Sequence, residues 1–195
     1  FGGMGSGNVE KRRRRIVGIL GGPTGSGKTS VGILVAKRLG LEILSADSGQ
    51  SRQGMEIGTA APSASETAMV PHHLVACLGP TEPDTVVGFL GRTEQILETP
   101  GPDLLVVGGT GQYLSALLGG LDPIPAPDPV LKARLQDRWE REGREPLWKE
   151  LLELNPAPPH DAWQNPVRLL RALEKAILLS QGAVCRSYPP LAPIA

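Results

Sequence analysis

A chain of 195 residues with 40% hydrophobic content can bury one sizeable core and a small appended subdomain. Its twenty basic and twenty acidic residues cancel, so net charge alone points to no nucleic-acid partner, although local runs remain. Aromatic residues make up only 4%, which argues against a base-stacking platform. Residues 1–10 (FGGMGSGNVE) are Gly-rich and aperiodic, and Lys11 to Arg15 is a basic run expected to be solvated. Together, residues 1–15 read as a flexible basic lead.

Ile16 to Leu20 reads as a buried strand, and Ser30 to Leu39 as a helix with Val31, Leu34, Val35 and Leu39 on one face. Between them stands Gly22-Pro23-Thr24-Gly25-Ser26-Gly27-Lys28-Thr29, which satisfies G-x-x-x-x-G-K-[ST] at every required position. Glycines at those places let successive N–H groups point at one anion, and the following helix adds the positive end of its dipole. Lys28 supplies a point charge to phosphates and the Thr29 hydroxyl suits Mg²⁺, so the site is expected to bind a di- or triphosphate nucleotide or a related diphosphate.

Lys37-Arg38-Leu39-Gly40 closes the helix, with cations in its last turn and Gly beyond. Leu41 to Leu44 is a short strand delivering Ser45-Ala46-Asp47-Ser48-Gly49-Gln50 at its carboxyl end, where ligands bind in open parallel sheets. Residues 51–71 are loop, with a helical turn from Ala64. A third strand is expected over His72–Cys77, a helix over Thr85–Leu97, an apolar strand over Leu104–Val107, and a helix over Gln112–Leu118. Alternation of strands and helices makes residues 16–121 an α/β core: a P-loop NTPase-like parallel sheet flanked by helices.

From Leu121 the character changes. Asp122 to Pro129 holds four prolines and reads as a linker. Helices follow over Pro129–Glu142, Glu145–Leu154 and Asn165–Ser180, the last with an apolar stripe of Val167, Leu170, Leu173 and Ile177. Residues 122–182 thus form a partial helical extension returning to the core, and 183–195 a Pro-rich tail without an element of its own. Cys77 and Cys185 lack metal-ligand spacing and read as buried thiols of a reducing compartment. No apolar run approaches a membrane span, so the expectation is a cytoplasmic chain with no membrane partner.

The chemistry narrows at the strand ends. A Walker-type ATPase needs a carboxylate after a core strand to hold Mg²⁺. The Leu104–Val107 strand ends instead in Gly108-Gly109-Thr110-Gly111, and the acid stands after the second strand, as Asp47 in Asp-Ser-x-Gln. Such an acid suits an oriented base flanked by substrate-holding hydroxyl and amide groups; an Asp there also serves as a turn or helix cap.

Taken together these motifs resemble the tRNA dimethylallyltransferase (isopentenyltransferase) family. The resemblance rests on GPTGSGKT at 22–29, SADSGQ at 45–50, GMEIGTA at 54–60, Pro62-Ser63, VPHHL at 70–74, VGGTGQY at 107–113, and Asn165 with Arg168 and RALE at 171–174. It implies transfer of a dimethylallyl group from dimethylallyl diphosphate to the exocyclic amine of the adenosine 3′ of the tRNA anticodon, by a monomer acting on the anticodon stem-loop. Asp47 matches the family's catalytic carboxylate and Thr110 its adenosine-placing threonine. Ser48 and Gln50 match residues that grip the target nucleotide. Lys132 falls where the family usually has an Arg near tRNA, and Arg168 and Arg171 match a second tRNA-contacting segment. Gly22 to Thr29 would hold the diphosphate, with Thr29 on Mg²⁺.

This sequence departs from the pattern at Gly49, where the family has Arg, at Arg52-Gln53 in place of Tyr-Arg, and at Ala61 in place of Lys. Arg52, one position early, is placed to restore part of the lost charge. The chain looks like the amino-terminal part of such an enzyme. Two other readings stand beside this one: a small-molecule P-loop kinase, and a diphosphate-binding remnant without turnover.

Overall fold

The structure, a computed structural model, describes residues 15–55, 58–59 and 61–192. The expected Gly-rich lead and the basic run as far as Arg14 lie outside the described residues. The chain divides into two compact units, one running to Gly120 and resuming at Pro189, the other spanning Leu121–Tyr188.

The first unit is built on four parallel strands, β1 (Ile16–Gly21), β2 (Glu42–Ser45), β3 (His72–His73) and β4 (Leu104–Gly108), in the order β1-β4-β2-β3. β4 is a fully buried apolar run and β2 is buried from Ile43 to Ser45, as expected where a sheet is covered on both faces. Gly21 stands beside Gly108 and Ser45 beside Val107, so β4 lies between the strand that feeds the P-loop and the strand that feeds Asp47. β3 stops after two residues, well short of the expected Cys77, because Leu74 and Ala76 take φ of 61° and 46° and leave the extended region. Cys77 is exposed and Cys185 half-buried, so neither is the buried thiol expected. Among the described residues no helix is long and apolar enough to cross a membrane.

Four helices complete this unit: α1 (Lys28–Leu39), α2 (Ala64–Met69), α3 (Val86–Glu98) and α4 (Gly111–Gly119). α1 ends at Gly40, whose φ of 66° forms a left-handed cap bonded to the Ala36 carbonyl. Its orientation differs from the expected one. Val31, Leu34, Val35 and Leu39 face outward, and the buried residues are Lys28, Gly32, Ile33 and Ala36. The reason is Gly32: a Cβ there would stand 2.8 Å from Val107, so the helix backbone lies directly on β4, with Ile33 and Ala36 packed among Ile43, Val70, Leu105 and Val107. Close approach through a small residue has outweighed the larger apolar stripe.

α3 begins at Thr85, whose hydroxyl accepts the Gly88 N–H, and buries Phe89, Leu90 and Thr93 as its spacing predicts. Its far end is closed by Arg15. That guanidinium donates to the carbonyls of Ile96 (2.9 Å), Thr99 and Pro102 (2.6 and 2.9 Å). Arg15 is therefore a buried cap on the negative end of a helix rather than the last member of a solvated run.

In the second unit α5 (Pro129–Glu142), α6 (Arg144–Leu154) and α7 (Pro166–Ser180) share a core of Leu131, Leu135, Leu147, Leu151, Leu169, Leu173, Ala176 and Ile177. Full burial of each such leucine contributes about 1.5–3 kcal/mol. α7 is rotated from the expected stripe: Val167 is exposed, and Leu169 and Glu174 turn inward. Glu174 earns that place by accepting the Asp128 N–H (2.9 Å) and an Arg171 N–H (2.7 Å). The expected linker carries a strand, β5 (Leu121–Pro125), paired antiparallel with β6 (Cys185–Tyr188) in the expected tail. A two-stranded ribbon tolerates proline because each strand has an open edge. Pro123 falls in the irregularity between Leu121 and Ile124.

Candidate active site at the carboxyl edge of the sheet

Parallel strands bring their carboxyl ends to one edge, and there the first unit collects three segments from distant parts of the chain. The P-loop follows β1. Gly25 and Gly27 take φ of 80° and 78°, which curls the backbone, and the Gly22 N–H is anchored to the Gly108 carbonyl at 3.2 Å. α1 starts at Lys28 with no side-chain cap on its first N–H groups, as suits an anion at that end. Lys28 is buried along its length, and its Nζ donates to the Pro23 carbonyl at 3.2 Å.

The second segment follows β2. Asp47 is half-buried, and its Oδ1 accepts the Gly49 N–H at 3.0 Å, which fixes the carboxylate's orientation. The third follows β4. Gly108 must be glycine, because a Cβ there would come within 2.2 Å of the Ala46 carbonyl oxygen. That contact seats the turn after β2 directly against the turn after β4, and the Thr110 N–H bonds to the same Ala46 carbonyl at 3.1 Å. Thr110 is the residue before α4, yet its hydroxyl caps nothing in that helix. Its Oγ1 accepts the Ser48 N–H at 2.9 Å and lies 3.2 Å from the Ser48 hydroxyl.

One point summarises the convergence. A Cβ placed on Gly109 would stand 3.0 Å from the Gly22 carbonyl, 3.6 Å from Lys28 Nζ and 3.7 Å from Asp47 Oδ2. An ammonium suited to phosphates and a carboxylate suited to a proton thus face the same small space.

Gln50 is buried, accepts the Ser45 hydroxyl on Oε1 at 2.9 Å, and lines a chamber by the P-loop with Lys28, Thr29, Ser45 and His72. Sequence reasoning gave His72 no role. Its Nδ1 lies 2.7 Å from the Val70 carbonyl, an arrangement that requires Nδ1–H, and its Nε2 is buried without a partner among the described residues. Desolvation pushes this imidazole below its ordinary value, so it is neutral and presents an acceptor. Only its adjacency to a strand end could have flagged it. Arg52 is spent elsewhere: its guanidinium donates to the Pro80 and Glu82 carbonyls, both at 3.0 Å, and ties down that loop. At Gly49 a side chain would meet Thr59 at 2.9 Å.

The other expected residues belong to the second unit. Lys132 is exposed on α5. On α7, Arg168 is paired with Asp161, and Arg171 with Glu174 and the Pro125 carbonyl, so both guanidinium groups help hold their own unit together.

Residues 50–188 match the IPP transferase family, and residues 15–71 match isopentenyl transferase. The chain is 39% identical over 178 residues to the tRNA dimethylallyltransferase of Thermus thermophilus, covering 90% of this chain and 58% of that one. It is 41% identical over 179 residues to that of Myxococcus xanthus, covering 88% and 56%. Among solved structures, the full-length tRNA isopentenylpyrophosphate transferase of Bacillus halodurans is 33% identical with a TM-score of 0.51, over 87% of this chain and 57% of that one. A eukaryotic dimethylallyltransferase acting on tRNA has a TM-score of 0.71 at 22% identity, over 90% and 46%, and shows the shared fold. The chain spans somewhat more than half the length of the curated relatives it matches. With the P-loop, Asp47 and Gly108-Gly109-Thr110 converging at one edge of a parallel sheet, the chain belongs to the IPP transferase family.

Proposed function

We propose that this chain carries the donor site and catalytic turn of a tRNA dimethylallyltransferase. Dimethylallyl diphosphate lies with its phosphates on the P-loop amides and Lys28. The exocyclic N6 amine of the adenosine 3′ of the anticodon attacks the allylic C1. The new N–C bond forms as the C1–O bond breaks, the diphosphate leaves with that electron pair, and Asp47 takes the amine proton. Charge accumulating on the leaving group is met by preorganised N–H donors and Lys28. The observation that carries this reading is the shared space over Gly109, faced by both Lys28 Nζ and Asp47 Oδ2.

The Thr29 hydroxyl, a hard oxygen donor lining the chamber by the P-loop, suits Mg²⁺. Thr29 would hold the ion, which supplies neutralisation of leaving-group charge. Thr110 orders Ser48, and the two place the nucleotide. Lys132 on α5 is an exposed cation offered to the tRNA backbone, and Arg168 and Arg171, ion-paired with Asp161 and Glu174, are offered from α7. The enzyme acts as a monomer on the anticodon stem-loop, with binding that falls steeply as salt rises.

The test is single-turnover alkylation of an anticodon stem-loop by labelled dimethylallyl diphosphate, alongside calorimetric binding of that donor. Donor binding that Lys28→Ala abolishes, together with adenosine alkylation, supports the reading. Phosphoryl transfer from ATP to a nucleoside or small alcohol, without donor binding, would overturn it.

A further inference from the structure

Asp84 lies in the loop before α3, outside every motif that marks the site, and its side chain is only 4% exposed. A carboxylate is seldom buried to that degree unless its oxygens are fully engaged, and here they are. Oδ2 accepts the Ser51 hydroxyl at 2.7 Å and Oδ1 accepts an Arg92 N–H from α3 at 3.0 Å.

Ser51 closes the turn that carries Asp47 and Ser48, and its N–H bonds to the Asp47 carbonyl at 3.2 Å. Its Oγ lies 2.7 Å from Asp84 Oδ2 and 2.8 Å from the Ser48 carbonyl, and its single proton goes to the carboxylate, the stronger acceptor. The Ser48 N–H is held separately, by the Thr110 hydroxyl. The far end of the turn is therefore tied to one buried charge.

We propose that Asp84 is a positioning residue for the Asp47–Ser51 turn, acting through Ser51 to hold Asp47 and Ser48 where the acceptor nucleotide meets the donor. This rests on the reading of Asp47 as base and Ser48 as nucleotide contact. Asp84 touches neither substrate, and the P-loop is anchored independently, by Gly22 on Gly108 and by α1 on β4. Loss of Asp84 should consequently separate the two halves of the site.

The experiment compares Asp84→Asn and Ser51→Ala with the parent chain. Calorimetry with dimethylallyl diphosphate should find the donor affinity within about twofold of the parent in both. Amide hydrogen exchange should accelerate by tenfold or more in the 46–52 segment of both variants while the α1 segment keeps its protection. In single-turnover alkylation the rate constant should fall by about 100-fold for Asp84→Asn, the size of loss that a displacement near 1 Å produces. The double variant Ser51→Ala with Asp84→Asn should be no slower than Asp84→Asn alone, because both remove the same hydrogen bond. The exchange measurement needs no turnover, so it decides the positioning role even where the parent fails to alkylate. Unchanged exchange in 46–52, or exchange raised equally throughout the first unit, overturns the proposal. Should Asp84→Asn not fold, Ser51→Ala breaks the same bond from its other end and decides the same question.

Discussion

Replacing Gly109 with alanine puts one methyl group where Lys28 and Asp47 face each other. The residue's φ is outside the left-handed region, so alanine can adopt the backbone without strain. The new Cβ would stand 3.0 Å from the Gly22 carbonyl oxygen, which must yield by a few tenths of an ångström, and 3.6 Å from Lys28 Nζ. Because Gly109 is exposed, that adjustment should cost about 1 kcal/mol of stability, the low end of overpacking. Binding suffers more. A phosphate oxygen must approach the ammonium to about 2.8 Å, and the methyl group occupies one side of that approach. Losing one charge-assisted hydrogen bond costs about 1.5–3 kcal/mol, so donor affinity should weaken by about 10- to 100-fold. Calorimetric titration with dimethylallyl diphosphate, paired with a thermal melt, measures both quantities. Gly111→Ala is the control, since a Cβ there meets nothing within 4 Å. A folded Gly109→Ala protein that binds the donor as the parent does would refute the convergence argued for this edge.

Two other predictions concern stability. Leu34→Ser, on the outward face of α1, should change urea unfolding by less than about 0.5 kcal/mol, whereas Ile33→Ala beside it should cost about 2–5 kcal/mol. The capping box of α2 carries a pH signature: Glu66 accepts the Ser63 N–H at 2.8 Å, and this bond holds its carboxyl below the usual glutamate value. A depressed folded value means stability present above the ordinary value and lost as pH falls through the folded one. Glu66→Ala should therefore cost about 0.5 kcal/mol at neutral pH, small because the pair is exposed, and the deficit should close in acid.

How far the sequence speaks depends on which force decides each element. β1 and β4 are apolar runs that end at glycines, and caps such as Thr85 and Asn165 mark helix starts by their own hydrogen-bonding chemistry, so these were legible. The P-loop, Asp47 and Thr110 were legible because strand ends in a parallel sheet must share an edge. The face of α1 was not. A periodicity argument weighs side-chain size, and at Gly32 the absence of a side chain decided the packing. The β5–β6 ribbon was hidden because proline signals a linker wherever pairing on both edges is assumed. Arg15 and Asp84 escaped for a common reason: each is a charge whose burial follows from partners that are remote in sequence. Arg15 serves carbonyls more than 80 residues away, and Asp84 accepts from Ser51, 33 residues earlier.

The remaining prediction separates the base from the group that positions the nucleotide. Asp47 and Thr110 end adjacent parallel strands, yet their surroundings give them different work. Asp47 Oδ1 is occupied by the Gly49 N–H, and Oδ2 faces the space over Gly109. Asp47→Asn keeps an oxygen for the Gly49 N–H, and with it the shape of the turn, but removes basicity at the open position. Its single-turnover alkylation rate should fall by about 10²–10⁴-fold, the range for a general base. Thr110 offers only a neutral hydroxyl, which accepts the Ser48 N–H and donates to the Ser48 hydroxyl, so it orients rather than takes the proton. Thr110→Ala releases the Ser48 N–H and should slow alkylation by a smaller factor. Thr110→Ser restores that acceptor and should recover most of the rate. If Asp47→Asn alkylates a stem-loop as fast as the parent, the proton leaves by another route and the assignment of Asp47 fails. If Thr110→Ser is as slow as Thr110→Ala, the threonine methyl rather than the hydrogen bond to Ser48 does the positioning.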